Sequence, residues 1–105
     1  MSDVLARLTA TIESRRDADP ASSHTATLLA RGADKCAEKF GEEAVEAIVA
    51  AVRGDREALV CETADVLFHL MVMLAASGAT IGDALAELER REGVSGVAEK
   101  AGRKG

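Results

Sequence analysis

The sequence predicts an all-α fold, a helical bundle of four to five helices completed by a second copy of the chain. Three observations carry this expectation. Proline occurs once in 105 residues, while the good helix formers Ala, Glu, Leu and Arg are abundant. Apolar residues recur at three- and four-residue spacing, and no useful length alternates with period two. The core material is thin: 48% of the chain is nominally hydrophobic, yet 21 residues are Ala, two are Phe, and Trp and Tyr are absent. A chain this short makes one domain, residues 1–105, and a small domain buries a lower share of its surface than a large one. Such small side chains point to a homodimer.

The elements follow in order. Val4, Leu5, Leu8 and Ile12 make one helical face, predicting a helix from Val4 to about Arg16, with Ser2 or Asp3 as its cap. Residues 17–23 read as a loop, because Pro20 disfavours helical geometry at Asp19. His24 to Arg31 forms a short helix that ends at Gly32. The next helix runs from about Asp34 to Arg53, with Cys36, Ala37, Phe40, Ala44, Ile48 and Val52 as its apolar stripe. Gly54 suits the position after a helix, and Asp55 caps the helix that follows, to about Ser77 and Gly78. Two antiparallel helices joined by this Gly-Asp turn are the simplest outcome. Val66 to Ala76 is apolar almost all round, so that segment is expected to be buried on every side. Thr80 caps a helix from Ile81 to about Arg91, with Ile81, Leu85 and Leu88 inward. The tail, about 92–105, is Gly-rich and charged.

Several function classes are disfavoured. The net charge of −5 opposes nucleic-acid binding by phosphate neutralisation. It leaves phosphate ligands open, because a bound cation reverses the local sign. Cys36 and Cys61 both sit in apolar helical patterns and read as reduced core thiols of a cytoplasmic protein. The N-terminus has no basic region followed by an apolar run, so no signal peptide is expected. Val66 to Ala76 is too short to span a bilayer, so no membrane partner is expected. There is no Gly-rich phosphate loop, zinc Cys/His set, serine elbow or other cofactor motif.

The informative feature is a pair of matched spacings. Glu43-Ala-Val-Glu46 lies on one long helix and Glu62-Thr-Ala-Asp65 on the next. Residues three apart on a helix are neighbours, so each pair points two carboxylates to one side. Both pairs border apolar stripes. Brought together by antiparallel helices, four carboxylates would be costly without a counter-charge. A hard divalent cation resolves that, and oxygen-only ligands favour Mg²⁺, Mn²⁺ or Ca²⁺ over zinc. The competing interpretation is a solvated face with the acids paired to Lys39, Arg53 and Arg56. Glu42 is a further acid beside the set. His69, four residues after Asp65, has three readings: ligand, proton carrier or core histidine. Spacing favours the core.

Lys39-Phe-Gly-Glu42-Glu43-Ala-Val-Glu46, followed by Glu62-Thr-Ala-Asp65-Val-Leu-Phe-His69-Leu, resembles the phosphoribosyl-ATP pyrophosphohydrolase family of the all-α nucleotide pyrophosphohydrolase (MazG-like) superfamily. The acids are the superfamily's signature. The segment around His69, Ser23-His24-Thr25 and the tail from Arg91 to Arg103 are similar to the family's own. Departures are His24 and Phe68, where the family usually has Tyr, and Gly102, where it usually has Ser. The resemblance implies hydrolysis of phosphoribosyl-ATP to phosphoribosyl-AMP and pyrophosphate, the second step of histidine biosynthesis. It implies a Mg²⁺-dependent homodimer (Mn²⁺ substituting) in the cytoplasm, in stand-alone form.

On that resemblance, Glu43, Glu46, Glu62 and Asp65 are the expected metal ligands. Glu42 or Glu46 is the expected proton acceptor for the attacking water. Lys35, Lys39, Ser95, Lys100 and Arg103 are the expected phosphate contacts. Two rival functions share these features. One is a house-cleaning nucleoside triphosphate pyrophosphohydrolase of the same superfamily, against which the tail elements argue. The other is a non-catalytic metal-binding helical dimer.

Overall fold

A computed structural model describes residues 3–92, and over these residues the chain is all-α, without a strand. Five helices follow one another: α1 (Asp3–Ser14), α2 (His24–Arg31), α3 (Ala33–Val52), α4 (Arg56–Ala76) and α5 (Ile81–Glu92). The stretch expected as a loop holds a short 3-10 turn at Pro20–Ser22. Asp19 caps it, accepting from the Ala21 N–H at 3.0 Å, and Pro20 supplies the preset φ of a first helical position. Ser23 then caps α2 by accepting from the Ala26 N–H at 2.9 Å. The Thr27 hydroxyl donates to the Pro20 carbonyl at 2.6 Å, fastening the turn to the helix.

Gly32, at φ +92°, both ends α2 and starts α3, so the two helices meet with no linker. Gly54, at φ +72°, reverses the chain after α3. Asp55 opens α4 by accepting from the Ala58 N–H at 3.0 Å. This tight turn makes α3 and α4 an antiparallel pair, the most extensive packing among the described residues. Thr80 and Asp83 cap α5 reciprocally: the Thr80 N–H donates to the Asp83 carboxylate and the Asp83 N–H to the Thr80 hydroxyl.

The core gathers around the second half of α4. Met71, Val72 and Ala75 meet Ile12 of α1, Leu28 of α2 and Cys36 of α3, all buried. Leu5, Leu8, Phe68 and Ile81 pack around them. Arg16, just past α1, donates to the Ala75 carbonyl at 2.9 Å. A cation there satisfies a last-turn carbonyl of α4 and complements its dipole.

Several expected faces come out differently. Cys36 is buried and Phe40 and Ala44 are half-buried, but Ala37 is exposed and Ile48 and Val52 are 60% and 81% exposed. The reason is geometric. A ladder of i, i+4 steps drifts about 40° per step on a helix of 3.6 residues per turn, so from Cys36 to Val52 it turns about 160°. With Val45 and Val49, also exposed, Ile48 and Val52 make an outward apolar stripe. Val66 to Ala76 is covered only in part: His69, Met71, Val72 and Ala75 are buried, while Leu67 is 42% exposed. Val4 and Leu88 face outward, and Cys61 is an exposed free thiol.

The whole of α4, beyond its apolar end, has a mean hydropathy of 1.7 over an 18-residue window and the length to cross a bilayer. The central helix of a bundle meets the same description. Helix α5 buries no residue. The radius of gyration, 16.0 Å, exceeds the roughly 13 Å of a compact chain of this length.

Candidate active site

The turn at Gly54 sets the register of the four acids. Glu46 and Glu62 each lie eight residues from Gly54, and Glu43 and Asp65 each lie eleven. In an antiparallel pair such positions face one another across the helices. One carboxylate oxygen from each of Glu43, Glu62 and Asp65 lies within 4.8 Å of the other two. Glu46 completes the group, close enough to affect both Glu43 and Glu62.

Their electrostatics are those of crowded anions. Glu62 is pushed above the usual carboxylate range, first by the Glu46 carboxyl, which favours a shared proton, then by burial and by the charges of Glu46, Asp65 and Glu43. Glu43 is raised too, first by burial and then by Glu46 and Asp65. The Lys39 charge opposes this only in part. The Oε2 atom of Glu62 is enclosed and has no hydrogen-bond partner. Among the described residues none of the four acids forms an ion pair; Glu43 and Glu62 are half-buried, while Glu46 and Asp65 are exposed. Buried polar atoms are normally satisfied. This one is positioned to meet a cation along with its neighbours.

The other expected residues divide. Glu42 stands outside the group, exposed on α3, with Lys39 at 3.4 Å. Lys35 pairs with Glu38 at 3.0 Å. Both lysines are thus engaged by acids one helical turn away, a local pairing that matches their sequence spacing. Ser95, Lys100 and Arg103 lie outside the described residues.

His69 is buried, 8% exposed, as the core reading expected. Its ring stands edge-on to Phe68, with centroids 5.2 Å apart, and to His24 at 6.3 Å. Burial holds its pKa below the usual histidine value, helped by the charges of Lys39 and His24 and opposed by Asp65. A neutral ring in the core follows, with Nδ1 enclosed and unpartnered.

The sequence reading did not identify an open cleft of about 280 Å³ beside Glu46 and Glu62. Val45, Val49 and Ala50 of α3 and Ala58 of α4 form its apolar wall, with Arg53 and Asp55 at the turn end. The available signal was Glu46, Val49 and Arg53 at i, i+3 and i+7.

Comparison with known proteins shows the family. A family model described as phosphoribosyl-ATP pyrophosphohydrolase matches residues 5–92. A protein of Cereibacter sphaeroides named phosphoribosyl-ATP pyrophosphatase is 70% identical over 100 residues, covering 95% of this chain and 97% of its own length. Proteins of the same name from Dinoroseobacter shibae and Ruegeria pomeroyi are 67% and 63% identical. They cover 95% of this chain, and 98% and 95% of their own lengths respectively.

Proposed function

The chain belongs to the phosphoribosyl-ATP pyrophosphohydrolase family, and we infer from that premise how its acids do the family's work. It is a hydrolase of a phosphoric anhydride: phosphoribosyl-ATP and water become phosphoribosyl-AMP and pyrophosphate, the second step of histidine biosynthesis. The water oxygen ends on a phosphorus flanking the cleaved bridge. The bridging oxygen departs with the bond's electron pair, and a proton is released.

The observation that carries the mechanistic reading is the convergence of Glu43, Glu62 and Asp65, with Glu46 beside them, without an ion pair among the described residues and with Glu62 Oε2 unpartnered. The donors are all oxygens and mutually repulsive, which fits a hard divalent cation, so we propose Mg²⁺, with Mn²⁺ able to substitute. Such an ion, when bound, offsets phosphate charge and makes water a better nucleophile. Glu43, Glu62 and Asp65 are the residues to hold it. Glu46, exposed beside the cleft, is the better proton acceptor. Glu42 is set aside because Lys39 already engages it. Lys39 keeps a role through its field at Glu43. Ser95, Lys100 and Arg103 remain proposed phosphate contacts on the family resemblance.

We also propose that the enzyme is a homodimer of the cytoplasm. The exposed apolar residues Ile48 and Val52 support the first part, since a partner's helices would cover them while Val45 and Val49 face the cleft. An exposed unbridged Cys61 is compatible with a reducing compartment.

The test is to incubate the chain with Mg²⁺ and, separately, phosphoribosyl-ATP, ATP and other nucleoside triphosphates, and to assay pyrophosphate. Release from phosphoribosyl-ATP in preference to the others is expected. Release only from the others, or none with metal present, overturns the reading.

A further inference from the structure

Resting on the function proposed above, we infer that Arg53 is a substrate-binding residue that takes the pyrophosphate half of the triphosphate in the cleft beside Glu46 and Glu62. Two other candidate cations are engaged locally, Lys35 by Glu38 and Lys39 by Glu42. Arg53 is the cation that lines the cleft, and it has no ion pair among the described residues. Asp55, the acid nearest it in sequence, has Oδ1 committed to the Ala58 N–H.

Geometry connects Arg53 to the acids. Seven residues after Glu46, it returns to within about 20° of the same helical direction, about 10 Å further along α3. The guanidinium extends on a long side chain that can cover part of that span. A phosphate chain anchored at the acids thus runs along the axis of α3 toward Arg53. The wall between them is Val49 with Ala58 opposite, which lowers the local dielectric and strengthens a guanidinium–phosphate contact. The guanidinium's planar fork matches phosphate oxygens in pairs. The cleft, at about 280 Å³, falls below the roughly 300–1,000 Å³ of pockets that enclose a drug-sized ligand, so it suits a part of this substrate.

A cation at this position also suits the C-terminal end of α3 electrostatically. That structural role predicts lower thermal stability with unchanged substrate binding, so the two roles separate experimentally. Arg53→Gln and Arg53→Lys are compared with the parent for steady-state kinetics, inhibition by inorganic pyrophosphate, molar mass and helical circular dichroism. Arg53→Gln is expected to raise both KM and the pyrophosphate inhibition constant about tenfold or more, with a smaller change in kcat. Arg53→Lys should recover part of both, with mass and helicity unchanged throughout. KM and inhibition constant within twofold of the parent overturn the inference, and so does a rise in KM alone or one accompanied by altered mass. Calorimetry with Mg²⁺ and pyrophosphate repeats the comparison without turnover. Parent that binds pyrophosphate through Arg53 but leaves phosphoribosyl-ATP intact refutes the proposed reaction and leaves this subsite standing.

Discussion

The two halves of α4 are built on opposite terms. From Val66 onward the helix carries Met71, Val72 and Ala75 into a core shared with α1, α2 and the start of α3. Before Val66 it carries Glu62 and Asp65 against Glu43 and Glu46, where burial and like charge act together against the folded apo-protein. One half supplies stability and the other consumes it. The antiparallel turn at Gly54 makes this division possible, because the anchored end of α4 lies beside the start of α3 and the acids lie nearer the turn. A site of repelling carboxylates can persist because a separate region holds the helices in place.

The contrast predicts that activity and stability respond to different residues. The largest effect is expected from Glu62→Gln, which should cut turnover by about 10²- to 10³-fold or more while raising, or leaving unchanged, the melting temperature of the apo-protein. Glu62→Gln with Asp65→Asn should cost far less than the product of the singles, as for residues that act as a unit. Independent, multiplicative losses would contradict a shared site.

Met71→Ala should do the reverse. It opens a cavity in the core and should cost about 2–5 kcal/mol in chemical denaturation, with kcat of the folded fraction retained. If kcat falls as far as for Glu62→Gln, the two halves are not separate.

Metal and pH address the acid half directly. Mg²⁺ at a hundred times its dissociation constant should stabilise the parent by about 2.7 kcal/mol and Glu62→Gln much less at the same concentration. Because Glu43 and Glu62 have pKa values raised by folding, their protonated forms favour the folded state. That stabilisation is complete below the unfolded value of about 4.3 and is lost as pH rises through the raised folded values. Melting of the apo-protein from pH 4 to 7 should show this decline, and Mg²⁺ should flatten it. A metal response equal in parent and variant would remove the carboxylate site from the mechanism.

Val52→Glu concerns the face that neither half covers. Light scattering should move from twice the chain mass toward one, with helicity largely kept. A parent of single-chain mass refutes the dimer. The smallest effect is reserved for Glu87, half-buried on α5, whose pKa is lowered to about 2 by hydrogen bonds from Arg90 and Arg91. Its contribution is present above the ordinary carboxylate value and lost as pH falls toward 2. Glu87→Gln should therefore shift melting slightly at pH 7, less in high salt, and not at pH 2. A shift that persists at pH 2 would point to a packing role.

Much of this organisation is local and was therefore legible. Capping at Ser23, Asp55 and Thr80, helix periodicity and the reversal at Gly54 act over a few residues, and they define α2 through α5 to within a residue or two. The acids were legible for the same reason, since a tight antiparallel turn converts equal distances from Gly54 into proximity. Which faces are covered was not legible. Ile48 and Val52 belong to the same apolar ladder as Cys36, and only the packing of α1, α2 and α4 shows that the ladder has rotated out of the core by its end. Cys61 and Leu88 likewise have inward-facing spacing yet lie exposed. The choice of Glu46 over Glu42 rests on the cleft at one and the lysine at the other.

Residue spacing along the chain thus determined the helices, their antiparallel pairing and the set of acids that meet. Tertiary structure decided how much water each acid keeps, which apolar stripe remains open, and that Arg53 shares a cleft with Glu46. Hydrogen bonding and helical period are set by near neighbours in sequence. Desolvation and electric field at a carboxylate are set by whatever the rest of the fold brings against it.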